Sequence, residues 1–178
     1  QKDKELFDSM RNIVILNSLH FSYPLPILMR VSYNTLIVKQ NTSDYYKYKD
    51  NNQNWVVFDK DDFPENDFNS AILSARQNGF EVAYSNQAFE FWFLLHFNLY
   101  QGALHRSRYE KMLSTLLGFA YTKKSGVSSK MFNALFLKQE QAINHAKTIM
   151  KQFDGNNPAQ QESSTTVYRL VEELNNFL

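Results

Sequence analysis

At 178 residues, 43% of them hydrophobic, the chain is sized for one domain with a core of ordinary extent, made unusually aromatic by 15 Phe and 10 Tyr. The absence of cysteine excludes disulfides, zinc fingers and thiol catalysis. A net charge of +1 leaves no broad electrostatic footprint for coating nucleic acid, so any such contact has to come from a local patch or a partner subunit. No apolar run approaches the ~18–20 residues of a membrane span, and the charged start Gln1-Lys2-Asp3-Lys4-Glu5 lacks a signal-peptide pattern. The expectation is an intracellular, cytoplasmic protein.

No internal repeat or low-complexity tract interrupts the chain. Glu5 to Arg11 suits a helix, followed by the β-branched run Ile13-Val14-Ile15-Leu16. Pro24 and Pro26 break any regular element between Ser18 and Val31. Asn34 to Tyr48 reads equally as strand or helix, and Asp50 to Asn54 as a polar turn. Trp55-Val56-Val57-Phe58 then has the pattern of a strand buried on both faces, as in a parallel sheet. It stops abruptly in Asp59-Lys60-Asp61-Asp62.

After Pro64, Asp67 is placed to cap a helix that buries Phe68, Ala71, Ile72 and Ala75 and ends at Gly79. Phe80 to Tyr84 is the next strand. Ser85-Asn86 introduces a helix over Phe89 to Asn98, apolar nearly all round. Strand, helix, strand, helix at this spacing predicts a parallel α/β unit with right-handed crossovers.

Beyond Gly102 the pattern is helical. Ser107 and Glu110 have capping-box spacing, with Tyr109, Met112, Leu113, Leu116 and Leu117 on one face. Gln139 to Phe153 carries Ala142, Ile143, Ala146, Ile149, Met150 and Phe153 along one stripe, ending at Gly155. Thr165 is placed to cap a last helix with Val167, Leu170, Val171 and Leu174 inward. The polar segments Tyr121 to Lys130 and Gly155 to Ser164 read as mobile loops. The predicted organisation is an α/β core over 1–100 with a helical layer over 101–178 packed on it.

The strongest chemical signal is Asp59-Lys60-Asp61-Asp62 at the carboxyl end of a buried strand, the edge where open α/β sheets bind ligands. Side chains at i and i+2 on a strand point the same way, so Asp59 and Asp61 converge at one point. Paired hard-oxygen donors, with Asp62 beside them, suit Mg²⁺ or Mn²⁺. The plainer alternative is that aspartates favour turns and helix caps. Glu90, set among the apolar neighbours Phe89, Phe91, Trp92 and Phe93, costs several kcal/mol to bury unless paired or ligated. Its plainer reading is a first-turn glutamate favoured by the helix dipole. His96 reads as a hydrogen-bonded core histidine. His105, Arg106, Arg108, Lys111, Lys123, Lys124 and Lys130 form a locally basic stretch, either a phosphate-binding surface or a solvated rim. Arg106, Arg108, Lys123 and Lys124 are its candidate nucleic-acid contacts.

Several stretches, in order, resemble the RloB-like family of anti-phage defence proteins. They are Trp55-Val56-Val57-Phe58-Asp59-Lys60-Asp61-Asp62, Phe68-Asn69-Ser70-Ala71, Ala83-Tyr84-Ser85-Asn86 and Phe89-Glu90-Phe91-Trp92-Phe93-Leu94-Leu95-His96-Phe97. Tyr121-Thr122-Lys123, Ala142-Ile143 and Ser164 to Leu174 continue the likeness, which spans Trp55 to Leu174. The resemblance implies a Toprim-like Rossmannoid core, a divalent metal on Asp59 and Asp61, and an AAA/ABC-type ATPase encoded alongside, as in the abortive-infection L system. The Toprim scheme also uses a Glu-Gly glutamate after the first strand as general acid/base, and no residue here matches it. Lys4-Glu5-Leu6-Phe7 resembles the segment just after that glutamate, which places the catalytic strand before Gln1. Gln87 stands where a proline is common in the Ser-Asn-Pro stretch.

Two functions follow. The first is a Mg²⁺-dependent nuclease effector, with Asp59, Asp61 and Glu90 in its site and host tRNA among the candidate substrates. The second is a non-catalytic subunit that docks on the ATPase and regulates it. A homo-oligomer is compatible with either. A nucleotide-binding protein is disfavoured, since no Gly-rich phosphate loop is present.

Overall fold

A strand that is apolar on both faces is stable only between two covering layers, and Trp55 to Phe58 occupies that place. The structure is a computed structural model and describes residues 13–15, 54–122 and 128–176. The sheet consists of β1 (Ile13–Ile15), β2 (Asn54–Asp59) and β3 (Phe80–Ser85), all parallel, in the order β1-β2-β3. The register sets Val56 beside Val82, Phe58 beside Tyr84, and Asp59 beside Ser85. The protein is thus α/β, with the expected parallel strands.

Strand alternation divides the core in two. Val56, Phe58, Phe80, Val82 and Tyr84 face helix α1 (Glu65–Gln77), which returns Phe68, Ala71, Ile72 and Ala75 to them. Phe68 is fully buried and meets Phe58 and Tyr84 edge-on, with ring centroids 5.6 and 5.5 Å away. Such pairs add about 0.5–1.5 kcal/mol beyond the area they bury. Trp55, Val57 and Ala83 face the opposite way, onto α2 (Glu90–Leu95), α3 (Tyr109–Leu117), α5 (Gln139–Met150) and α6 (Val167–Asn175). The helical layer and the sheet therefore share one core across residue 100.

The apolar stripes of α3 and α5 pack as their spacing predicts, with Tyr109, Leu113, Ala142, Ile143, Ala146 and Ile149 buried. Met112, Leu116, Leu117 and Phe153 are half-buried against them. Asn78 and Gly79 end α1, Gly79 taking a φ of 78° that a side chain would resist.

Several boundaries differ from expectation. Pro64 precedes the first turn of α1, which places Asp67 inside the helix, where its carboxylate and that of Glu65 meet the positive end of the dipole. Helix α2 covers only Glu90–Leu95, shorter than Phe89 to Asn98. The Ser107–Glu110 capping box does not form. His105 instead caps a 3₁₀ turn over Arg106–Arg108, its ring nitrogen accepting from the Ser107 amide, and α3 continues from that turn. Thr166, not Thr165, precedes α6, although the Thr165 hydroxyl accepts from the Val167 amide at 3.3 Å. Helix α4 (Ser128–Leu135) was not anticipated; Met131 and Leu135 are its buried anchors. The early segments Glu5 to Arg11 and 16–53 lie outside the described residues, as do 123–127. No helix among the described residues is long and apolar enough to cross a membrane.

The largest departure is the segment from Gly155 to Ser164. Its polar composition predicts a mobile loop, yet Ala159, Gln161, Ser163 and Ser164 are buried. This strap runs over the free side of β3, and its side chains and carbonyls satisfy the strand. Asn86 Nδ2 donates to the carbonyls of Pro158 and Ala159 at 2.8 and 2.9 Å. The Asn86 amide donates to Ser164 O at 2.9 Å, and the Thr166 amide to Tyr84 O at 2.8 Å. The Tyr84 amide donates to Thr166 Oγ1 at 2.8 Å, and Asn69 of α1 bonds Asn157 and the Ala159 amide. An exposed strand edge is a template for unwanted pairing, and a polar strap covers it by supplying its partners.

The strap predicts a large effect from one side chain. Asn86→Ala orphans one buried carbonyl and one part-buried one, so urea denaturation should show a loss of about 1–3 kcal/mol. Amide exchange should accelerate at residue 86 and Thr166, whose N–H groups donate across the strap, before the helices open. A loss under about 1 kcal/mol would mean that the strap is held by its backbone alone.

Candidate functional site

The carboxyl ends of β2 and β3 open at one edge, and their hydrogen bonding continues past the strands. The Lys60 amide donates to Ser85 O and the Asp61 amide to Gln87 O, each at 3.0 Å. Asp61 takes a φ of 46°, in the left-handed region that aspartate tolerates better than most residues. Strand geometry therefore ends at Asp59. The i, i+2 argument for Asp59 and Asp61 pointing together does not apply, because a turn, not a pleat, orients Asp61.

What the turn presents its carboxylates to is Arg106. Its Nη1 donates to Asp61 Oδ1 at 3.0 Å, and its Nη2 donates to Asp62 Oδ2. The side chains of Arg106 and Asp61 are 25% and 26% exposed, whereas that of Asp62 is 89% exposed, so the Asp61 contact carries most of the energy. The two carboxylates hold the guanidinium protonated, its pKa above the usual value despite partial burial.

Gln87, which sequence reasoning passed over, ties these pieces together. It is buried, with a φ of 84°. Its carbonyl accepts from the Asp61 amide, its Oε1 accepts from the Arg106 amide at 3.3 Å, and its Nε2 donates to Glu162 of the strap. The only hint in the sequence is its departure from the family's proline. A proline cannot adopt this φ.

Glu90 opens α2 and is 6% exposed. The Tyr121 hydroxyl donates to its Oε1 at 3.0 Å. Burial and the nearby Glu90 charge raise the Tyr121 pKa well above the ordinary phenol value, with further contributions from Glu110 and Asp59. Tyr121 thus lies in the field of both Glu90 and Asp59. Tyr109, whose hydroxyl donates to Leu104 O at 2.8 Å, is pushed up to about 12, mainly by burial, with Glu162 and Glu90 adding to it. Glu90 is therefore a buried carboxylate and does not point to bulk solvent.

The remaining candidates separate. Arg108 is exposed in the 3₁₀ turn next to Arg106. Lys123 and Lys124 lie outside the described residues. His96 is buried, its Nδ1 3.0 Å from Trp92 O, and burial lowers its pKa below 6.5. Among the described residues, no three His, Asp or Glu side chains form a group that could hold a metal ion.

Sheet and site together define an α/β protein whose strand ends carry an acidic turn closed by an arginine, beside a buried glutamate. The chain belongs to the RloB-like family: the family description "RloB-like protein" matches residues 5–174, which takes in the whole stretch from Trp55 to Leu174 and extends some way before it. No curated protein and no solved structure matches the chain.

Two predictions test this geometry. Gln87→Pro forces a φ near −65° onto a residue at 84° and should cost about 3 kcal/mol or more in chemical denaturation, whereas Gln87→Gly should cost less. His96 resists protonation in the fold but not in the unfolded chain. Its contribution is therefore complete above about pH 6.5 and is lost as pH falls through the lower folded value. The melting temperature of the wild type should drop more steeply between about pH 6.5 and 5 than that of His96→Gln. Parallel curves would assign the acid sensitivity elsewhere.

Proposed function

We propose that this RloB-like chain is an anti-phage defence effector: a Mg²⁺- or Mn²⁺-dependent nuclease with a Toprim-like core, acting on nucleic acid under the control of an AAA/ABC-type ATPase. The supporting observation is the placement of Asp59 at the carboxyl end of the middle parallel strand, with Glu90 buried at the start of the helix after β3. Both charges act on the Tyr121 hydroxyl.

The donor set fits a hard divalent ion in kind, since every candidate ligand is a carboxylate oxygen. Asp59 would hold it, with Asp61 joining when Arg106 moves aside. Such an ion supplies Lewis-acid stabilisation of a phosphodiester oxygen. The chain's own residues do the rest. Tyr121 remains a protonated donor through neutral pH and fixes one oxygen of Glu90. Exposed Arg108, with Arg106 once released, offers forked donors to phosphate.

The Arg106 contacts favour one second reading, a docking subunit that regulates the ATPase without cutting anything. In that case Asp61 and Asp62 act only as an electrostatic clasp on the 106–108 turn.

Phage protection separates the two. With the ATPase co-expressed, Asp59→Ala should abolish protection and nucleic-acid degradation while the protein remains folded. Without metal its melting temperature should be unchanged or slightly higher, because one of several neighbouring carboxylates is gone. Equal protection by wild type and Asp59→Ala, both soluble and assembled, would establish the docking reading instead.

A further inference from the structure

Leu104 lies in the irregular stretch between α2 and the 3₁₀ turn, and it is buried. A buried loop residue has no ladder to satisfy its main chain, so its N–H and C=O must find side chains. One hydroxyl serves both. Ser163 Oγ accepts from the Leu104 amide at 2.9 Å and donates to the Leu104 carbonyl at 3.1 Å. The Tyr109 hydroxyl donates to the same carbonyl at 2.8 Å, which uses its second lone pair. Ser163 is 2% exposed and comes from the strap, 59 positions away in sequence. Its neighbour Glu162 accepts from Gln87 Nε2, and Gln87 Oε1 accepts from the Arg106 amide. The strap therefore grips the chain at the entry to the arginine turn, directly at Leu104 and through Gln87 at Arg106. The turn then closes on itself, the Arg108 amide donating to His105 O at 3.1 Å, and Tyr109 just beyond it is buried. Arg108 itself is exposed. A solvated guanidinium thus stands on a root that buried contacts fix on both sides.

We propose that Ser163 is a positioning residue for the arginine turn: it sets the course of the chain at Leu104, and so the place where Arg108 meets a phosphodiester of nucleic acid. This rests on the nucleic-acid reading above. A long arginine side chain loses rotamer freedom on binding, and a fixed root limits how much more has to be ordered. Losing the Ser163 hydroxyl leaves the Leu104 N–H without its partner in a buried place and removes one of two donors from its carbonyl. The stretch answers by turning that amide towards water, which carries His105 to Arg108 with it. Ser163 touches no substrate in this scheme and acts only through the main chain.

The test is binding of fluorescein-labelled single-stranded RNA and DNA of one sequence to the full chain, by fluorescence anisotropy with EDTA present, over a range of salt concentrations. Arg108→Gln should weaken binding about three- to fivefold, the worth of one exposed charge contact. It should also lower the slope of log K against log salt by about 0.7, as one lost phosphate contact on a single strand does. Ser163→Ala should weaken binding and lower the slope in the same direction, with Arg108 still present. The control is Asn69→Ala, which frees the other end of the strap from α1 and leaves Leu104 untouched. It should change neither affinity nor slope. Circular dichroism and thermal melting establish that each variant is folded at the assay temperature. Should the alanine variant not fold, Ser163→Cys, nearly isosteric and a weaker hydrogen-bonding group, gives the same comparison. Weaker binding by Arg108→Gln with Ser163→Ala equal to wild type, or with an effect that Asn69→Ala reproduces at unchanged slope, overturns the positioning role and leaves the nucleic-acid reading standing. No binding of either strand by the folded wild type, or binding that Arg108→Gln leaves unchanged, overturns both.

Discussion

The structure depends on satisfying the carboxyl end of β3. Ser85, the last residue of β3, and Asn86 and Gln87 just past it are polar and buried, at the point where the sheet's own ladder gives out. An unpaired buried polar group costs about 1–3 kcal/mol, so three in a row must find partners or the corner does not form. They find them in three directions. Ser85 bonds the strap through Thr165, Asn86 binds the strap's carbonyls, and Gln87 turns back to the acidic loop and to Arg106. Removing any one of these loosens the strap, the acidic turn or the 3₁₀ turn, because all three meet at this corner.

The same corner explains where strain is tolerated. Asp61 and Gln87 both have positive φ, and they are joined by a single backbone hydrogen bond. Conformations of this kind cost on the order of 1–3 kcal/mol each and persist where the surroundings over-determine them. Here the surroundings are an ion pair, two backbone ladders and a buried amide. The strained pair lies between the two acidic elements, the turn after β2 and the start of α2, which is where a site would be assembled.

The electrostatics divide the carboxylates by environment. Asp62 is nearly free of protein cover and its pairing with Arg106 is screened by water, whereas Asp61 is three-quarters covered and holds a well-formed charge-assisted bond. Glu90 is covered further, and the Tyr121 hydroxyl donates to its Oε1. The side chains thus form a gradient from solvated to buried.

Local pattern sufficed for much of this. Trp55 to Phe58 as a doubly covered strand, the inward faces of α1, α3 and α5, and His96 as a core histidine were legible because hydrophobic period and length are written in consecutive residues. The acidic run after β2 and the unusual burial of Glu90 were legible for the same reason. Its partners were not. That Asp61 leaves strand geometry, that Arg106 crosses from after α2 to meet it, that Gln87 joins the two, and that a polar segment near Gly155 is a fixed strap all depend on contacts between residues 19 to 90 positions apart. Sequence alone determined which segments are apolar enough to bury and which side chains bear charge. The tertiary structure decided which polar groups had to be satisfied together, because hydrogen-bond partners are chosen by proximity in space once the core has fixed the chain's course.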